Sequence, residues 1–348
     1  MNKAIHYLIL SADQHNQFAQ QLLGKIYYYG KYVPQDIKKA IHYLTLSANQ
    51  YNSDAQCLLG YIYYDDKYVS RDIKKAIYYF NLSAYQGDSF AQYKLGKIYY
   101  TGKYVNRNIK KAIFYLTLSA NHNDSDANYL LGKIYNDGKY TSRDINMAIH
   151  YFKESACFRN SHAKNNLGIL YKNGDGISKN ISRAIEYFGE AIKEENDPFS
   201  LLNLARIYYF GIDVECNIPK SIDLLETIAT DSYYASFFLY FIYTFGNERY
   251  LDKNKSMYYR NKIGNLIIYT ENLILLDFHE SDFELILKQR IECFFKEYDF
   301  VYSDSKDESF DFISYLYEGS YQAQEEEKLH ESRNIKEINE KFYEGFYS

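Results

Sequence analysis

The sequence contains no tryptophan, only three prolines and only four cysteines among its 348 residues. The scarcity of proline favours helices, because proline interrupts a helix interior. The cysteines (Cys57, Cys157, Cys216 and Cys293) are far apart and form no Cys-x-x-Cys pair. This distribution argues against a disulfide framework or a zinc site and favours a reducing compartment.

Hydrophobic runs of transmembrane length are missing, and the first residues lack the apolar core and cleavage site of a signal peptide. We therefore expect a cytoplasmic protein without a transmembrane segment. Lysines are spread out and the net charge is −5, which argues against nucleic-acid binding.

Motifs for catalysis or for a cofactor are also missing. Five residues separate Gly24 from Gly30 where a phosphate loop has four, and Tyr32 replaces the serine or threonine. The eight histidines form no His-x-x-x-His pair. The sequence therefore predicts a protein that is not an enzyme and that holds no cofactor and no metal.

An internal repeat is the dominant feature of the sequence. The dipeptide Leu-Gly returns with a constant step of 36 residues, at Leu23, Leu59, Leu95, Leu131 and Leu167. Leu204 and Leu239 continue the series at steps of 37 and 35 residues. A tyrosine follows each of these leucines four positions later, from Tyr27 to Tyr243. A period of this length is typical of solenoids built from small structural units.

Each repeat is predicted to form two helices. In the first helix, apolar residues at 19, 22, 23, 26 and 27 are spaced by three and four. Glycine is expected to end this helix at Gly30, Gly102, Gly138, Gly174, Gly211 and Gly246. An N-capping side chain is expected to begin the second helix at Asp36, Asp72, Asn108, Asp144, Asn180, Asn217 and Asp252. Gly24 and Ala40 are small, which predicts a close approach of the two helices.

One repeat alone does not bury enough apolar surface to offset the conformational entropy of about 36 ordered residues. The copies must therefore stack, so that each apolar stripe is covered by a neighbour.

These motifs resemble the Sel1-like repeat, a relative of the tetratricopeptide repeat. The resemblance rests on Ala-x-x-x-Leu-Gly-x-x-Tyr-x-x-Gly followed by Asp-x-x-Lys-Ala-Ile-x-Tyr and Leu-Ser-Ala, and covers about residues 1–262. Tyrosines such as Tyr43 stand where the family often has tryptophan. The resemblance implies an all-α, right-handed α-solenoid of helix-turn-helix repeats, with a concave surface that binds proteins. The first residues align with the second helix of the later copies, so the first copy is predicted to be incomplete.

The resemblance also implies where a partner would bind, since the first helix of each repeat lines the concave side. Three positions of that helix lie outside the apolar stripe and share one face. They carry tyrosine, lysine, asparagine and glutamine, which suit contacts with a peptide. The predicted partner-binding residues are Gln21, Lys25, Tyr28, Tyr61, Tyr64, Tyr93, Lys97, Tyr100, Tyr129, Lys133, Asn136 and Lys172. The same positions also hold Cys57, Asn165 and Ile169, and an ordinary solvated helix face remains the alternative interpretation.

The C-terminal quarter does not repeat. Residues 263–302 are apolar at helical spacing and predict a helical cap over the last exposed stripe, with a partner or membrane-surface helix as the alternative. Residues 303–348 predict an acidic linker and a charged terminal helix. The net charge is +7 over residues 1–262 and −12 over 263–348. The tail either stays solvated or folds back over Lys97, Lys133, Lys172 and Arg206 as an intramolecular acidic ligand.

The sequence thus predicts a non-catalytic scaffold or adaptor for a protein or peptide partner. The alternatives are a regulatory subunit that activates or localises an enzyme complex and, least favoured, an enzyme.

Overall fold

The computed structural model describes residues 2–263 and, further along the chain, residues 289, 291, 292, 295 and 296. These residues form fifteen named α-helices, one 3₁₀ turn at Glu248–Tyr250 and no strand, so the predicted all-α class is confirmed for this part of the chain. The helices are α1 (Asn2–Asp13), α2 (Gln17–Tyr29), α3 (Ile37–Ala48), α4 (Ser53–Tyr64), α5 (Ile73–Tyr85), α6 (Ser89–Thr101), α7 (Ile109–Ala120), α8 (Ser125–Asp137), α9 (Ile145–Cys157), α10 (Ser161–Asn173), α11 (Ile181–Glu195), α12 (Pro198–Phe210), α13 (Ile218–Ile228), α14 (Tyr233–Phe245) and α15 (Lys253–Ile263).

The chain divides into two compact bodies. The first body consists of residues 1–170 and 174–178, and the second body of residues 171–173 and 179–348. In the first body, α2 packs on α3, α4 on α5, α6 on α7 and α8 on α9, and each hairpin packs on the next. In the second body, α12 packs on α13 and α14 on α15. Each body is thus a stack of helical hairpins in chain order, which is the solenoid arrangement.

The predicted N-caps of the second helices are confirmed at all seven positions. Asp36 accepts a hydrogen bond from the Lys39 backbone N–H at 3.0 Å, and the equivalent bonds recur up to Asp252. The backbone N–H of each capping residue also donates to the carbonyl of the repeat tyrosine, as Asp36 does to Tyr27 at 3.0 Å. The capping residue therefore starts one helix and closes the hairpin onto the other.

The repeat glycines have two different structural roles. Gly30, Gly102, Gly138, Gly174 and Gly211 end their helices in the left-handed conformation, with φ between 59° and 74°. Gly246 also follows a helix end, but its backbone is extended, so it does not form this cap. In mid-helix, a Cβ added to Gly60 would lie 2.6 Å from the Phe80 ring, which explains why Leu-Gly recurs. The predicted close approach is confirmed, with a core side chain as the nearest neighbour.

The repeat tyrosines stack in pairs across each hairpin, an arrangement that the sequence did not predict. Tyr27 lies parallel to Tyr43 with ring centroids 5.9 Å apart, and Tyr63 lies parallel to Tyr79 at 6.0 Å. Further pairs are Tyr99–Tyr115, Tyr135–Tyr151, Tyr171–Tyr187 and Tyr243–Tyr259. In most pairs a lysine or arginine covers the first ring, as Lys39 does at 5.3 Å from Tyr27. These tyrosines therefore belong to the framework.

A ladder of buried amides fixes one hairpin against the next in the first body. Gln56 donates to the Ala48 carbonyl at 3.0 Å, and its own side-chain oxygen accepts from Gln86 at 2.7 Å. In the next repeat, Gln92 donates to the Ala84 carbonyl in the same way, but its buried Oε1 lacks a hydrogen-bond partner. His122 stands at the position of Gln86 in that repeat, so one rung of the ladder is incomplete.

Candidate functional site

A cleft of about 570 Å³ opens on the first body, on the surface formed by the first helix of each hairpin. We call this surface the first-helix surface. The cleft is lined by side chains of α2, α4 and α6 and by the residue that caps α6. These side chains are Lys25, Tyr28, Tyr29, Asp54, Cys57, Leu58, Tyr61, Asp88, Phe90 and Lys94. Its volume lies within the range of small-molecule and peptide side-chain pockets.

Part of the cleft lining is polar and nearly balanced in charge. Asp54 accepts hydrogen bonds from Lys25 Nζ and from Gln21 Nε2, both at 2.8 Å. The Lys25–Asp54 pair remains partly open to solvent, so it contributes little to stability and stays available to a ligand. Asp88 accepts from the Ala91 backbone N–H at 2.7 Å as the N-cap of α6.

Another part of the cleft lining is aromatic. Tyr61 and Phe90 have ring centroids 6.2 Å apart, and the Lys94 ammonium group lies 5.8 Å and 4.8 Å from them. Burial lowers the pKa of Lys94, and burial raises the pKa of Tyr28 to about 12. A half-buried ammonium beside aromatic faces is suited to bind a carbonyl or carboxylate group of a ligand.

The cleft contains a thiol that is poorly suited to nucleophilic chemistry. Burial raises the pKa of Cys57, and the nearby Asp88 carboxylate acts in the same direction. The thiol therefore remains protonated at neutral pH. Across the described ranges, no cluster of three or more histidine, cysteine, aspartate or glutamate side chains is placed to hold a metal ion.

The structure brings together four of the predicted partner-binding residues. Gln21, Lys25, Tyr28 and Tyr61 all lie at the cleft or on its Asp54 rim. Tyr28 is 9% exposed, so little of its side chain is available to a ligand.

The other predicted residues lie elsewhere. Tyr64 packs against Phe80 and Tyr104. Tyr93 and Tyr129 are buried, and Tyr129 contacts Phe152 and His162. Lys97, Tyr100, Lys133 and Asn136 are half-buried positions further along the first-helix surface. Lys172 belongs to the second body, where it is buried.

Sequence reasoning missed Asp54, Asp88, Phe90 and Lys94. Asp54 and Phe90 occupy the first turns of α4 and α6, which were outside the three positions considered. Asp88 could have been found as an N-cap three residues before Ala91. Lys94 directly follows Tyr93, and its ammonium group lies over the rings of Tyr61 and Phe90 at the cleft.

The sequence matches the Sel1 repeat over residues 1–16, 17–52, 53–88, 89–124, 125–157, 161–196 and 198–231. The chain belongs to the Sel1 repeat family. Repeats of this family typically serve as scaffolds for protein interactions. The hairpin formed by α14 and α15 continues the fold beyond the last matched copy. No curated protein matches the sequence.

Solved structures of Sel1 repeat proteins share this fold. A protective antigen of uropathogenic Escherichia coli strains has a TM-score of 0.70 and 22% identity over 90% of this chain. The chain spans 64% of the length of that antigen. A Sel1 repeat protein from Oxalobacter formigenes has a TM-score of 0.58 and 28% identity, covering 64% of this chain and 89% of its own. In the residues that the structure describes, no helix is long and apolar enough to cross a membrane.

Proposed function

We propose that this protein is a non-catalytic adaptor that holds a protein or peptide partner on the first-helix surface of its first body. The observation that carries the proposal is the cleft between α2, α4 and α6. It places aromatic rings next to an ammonium group and to a half-exposed ion pair. Binding hot spots combine groups of this kind, with aromatic and basic side chains in a partly desolvated recess.

Residues beyond the cleft extend the proposed surface. Lys97 and Lys133 occupy equivalent positions on α6 and α8, one repeat apart, and both are half-buried. Successive first helices contact each other directly from α2 to α8. A partner segment lying along them would meet a row of lysine and tyrosine side chains. Family membership supports this assignment, because Sel1 repeats typically act as interaction scaffolds.

The test uses the full chain as bait and then a purified partner. We expect co-purification and mass spectrometry to identify a stoichiometric partner, whose affinity is then measured by calorimetry. A triple variant, Lys25→Ala, Tyr61→Ala and Lys94→Ala, is expected to weaken binding at least about tenfold, since truncation of one hot-spot aromatic alone can cost about 2 kcal/mol. These side chains are half-buried, so the fold is expected to survive.

The matched control removes aromatic side chains from second helices instead. Tyr78 on α5 and Phe114 on α7 are 59% and 58% exposed, and neither lines the cleft. The double variant Tyr78→Ala and Phe114→Ala is expected to bind as well as the unchanged protein. Equal affinity of the cleft variant and the control variant would show that the partner binds elsewhere. Turnover of a substrate by the purified chain would instead assign an enzyme.

A further inference from the structure

Two residues beyond the last hairpin lie against the first-helix surface of the second body, formed by α12 and α14. Ile291 and Phe295 are helical and fully buried. Residues four positions apart in a helix share one side. Both belong to the core cluster that includes residues of α12 and α14. The chain thus supplies a ligand to its own repeat surface.

Phe295 acts as the aromatic anchor of this contact. Its ring lies parallel to that of Phe238, with centroids 4.2 Å apart and an interplanar angle of 10°. The rings of Phe237 and Phe241 flank it at 5.8 Å and 6.4 Å. Three aromatic side chains of α14 therefore form the receptor for one phenylalanine.

Arg206 of α12 binds the main chain of the same segment. Its guanidinium group donates to the Phe295 carbonyl oxygen and, at 2.7 Å, to the Lys296 carbonyl oxygen. A third bond reaches Asn203 Oδ1 at 3.2 Å. Arg206 is only 1% exposed, so these acceptors replace the water that a buried cation loses. Nearby, burial raises the pKa of Tyr209 to about 12, and the Glu292 carboxylate adds to this effect.

The repeat register relates this contact to the cleft of the first body. Leu204 and Leu239 are the repeat leucines of α12 and α14, as Leu23 and Leu59 are those of α2 and α4. Residues at the same distance from these leucines occupy equivalent positions in the two bodies. Arg206 corresponds to Lys25, Tyr209 to Tyr28, Phe237 to Cys57, Phe238 to Leu58 and Phe241 to Tyr61. All five counterparts line the cleft.

The difference between the two places is one of side-chain size. In the second body, Phe237 and Phe238 fill the surface and contact Phe295. In the first body, the smaller Cys57 and Leu58 stand at those positions, beside the open volume of about 570 Å³. A basic side chain (Lys25 or Arg206) and two aromatic rings are present at both places, and the space for an anchor is larger in the first body.

We infer that the cleft binds a helical segment of a partner protein carrying an aromatic anchor and, four positions earlier, an aliphatic residue, as α12 and α14 hold Ile291 and Phe295. The inference rests on the proposed adaptor function and names the class of partner. An amphipathic helix laid into a groove is an established mode of peptide recognition. Lys25 has three donors and uses one on Asp54, so it can also bind a carbonyl of the incoming helix.

The probe is a synthetic peptide of residues 283–300 with Cys293→Ser, labelled for fluorescence anisotropy and titrated with the full chain. We expect saturable binding that Phe295→Ala in the peptide weakens about thirtyfold, as for a hot-spot aromatic. Leu58→Glu in the protein, which puts a carboxylate where the anchor would pack, is expected to abolish binding. Tyr61→Ala is expected to weaken it at least about tenfold. Tyr78→Ala, on the exposed face of α5, is the control and is expected to change nothing.

Failure of the peptide to bind, or binding that Leu58→Glu and Tyr61→Ala leave unchanged, would overturn the inference. Sedimentation of the chain alone tests whether a second copy of the chain occupies the cleft instead. A dimer that Leu58→Glu dissociates would show that it does, and this result would also overturn the inference. The adaptor proposal is judged separately. In one outcome, the co-purified partner binds the Lys25, Tyr61 and Lys94 variant more weakly while the peptide does not bind at all. That result would support the adaptor function and reject the proposal that the partner binds through a helix with an aromatic anchor.

Discussion

The cleft between α2, α4 and α6 and the aromatic cluster between α12 and α14 use the same five repeat positions in different ways. At one place, Phe237 and Phe238 contact Phe295, and the surface is closed. At the other, Cys57 and Leu58 leave an open recess. The hairpin geometry depends on the glycines, the caps and the stacked tyrosines, so the first-helix surface can change without altering the fold.

The largest expected contrast concerns residue 238 and its counterpart 58. Phe238→Ala is expected to cost about 3–5 kcal/mol, because it leaves a cavity under Phe295 in a fully buried cluster. Leu58→Ala should cost less than about 1.5 kcal/mol, since Leu58 is only half-buried. Urea denaturation followed by circular dichroism measures both, and amide exchange should show that the first change loosens α12 and α14. Equal costs would mean that the two places are packed alike.

The next contrast compares the two cations. Arg206→Ala is expected to cost about 1–3 kcal/mol, because the buried carbonyl of Phe295 and the partly buried carbonyl of Lys296 lose their donor. Lys25→Ala should cost less than about 1 kcal/mol, because its pair with Asp54 is partly exposed. The same denaturation experiment distinguishes them. A large loss at Lys25 would mean that the cleft is structural and not a binding surface.

A third contrast tests the framework that both surfaces share. Gly60→Ala is expected to destabilise the protein by about 1–3 kcal/mol, because the added methyl group would overlap the Phe80 ring. Gly189→Ala is the matched control in α11, where an added Cβ meets no atom within 4 Å. It should stabilise the protein by about 0.5–1 kcal/mol through helix propensity. Opposite signs in the two melting shifts are the expected result, and a shift of the same sign would contradict it.

The smallest effect concerns the incomplete rung of the amide ladder. His122→Gln would place a donor where Gln86 stands in the preceding repeat and satisfy the buried Gln92 Oε1. We expect a gain of about 0.5–1.5 kcal/mol in unfolding free energy. The reciprocal change Gln86→His should remove a comparable amount by leaving Gln56 Oε1 without its donor. If both variants have the same free energy of unfolding as the parent protein, this hydrogen bond contributes nothing to stability.

The fold was largely predictable from the sequence because its signals are local. An Asp or Asn before each second helix and a glycine after most first helices fix the hairpin ends within a few residues. The extended backbone at Gly246 was not predictable, because the glycine itself permits either conformation. The tyrosine pairs were visible as a repeat, but their stacking depends on how the two helices cross.

The site was only partly predictable. Lys25, Tyr28 and Tyr61 follow from their position in the first helix. Phe90 and Lys94 meet Tyr61 only because of the offset between neighbouring hairpins, and no spacing within one repeat encodes that offset. The contact of Arg206 with Phe295 joins residues 89 positions apart, and Phe295 lies in the part of the chain that does not repeat. The helical spacing of apolar residues over 263–302 predicts a cap, but it does not show that Phe295 is the residue that contacts Arg206.

Hydrogen–deuterium exchange of the full chain with and without the 283–300 peptide tests the central claim most directly, because it locates the binding surface. We predict slower exchange in α4 and at the start of α6, around Leu58, Tyr61 and Phe90, with unchanged exchange in the second helices α3 and α5. Protection confined to α12 and α14, or absent throughout the first body, would contradict it.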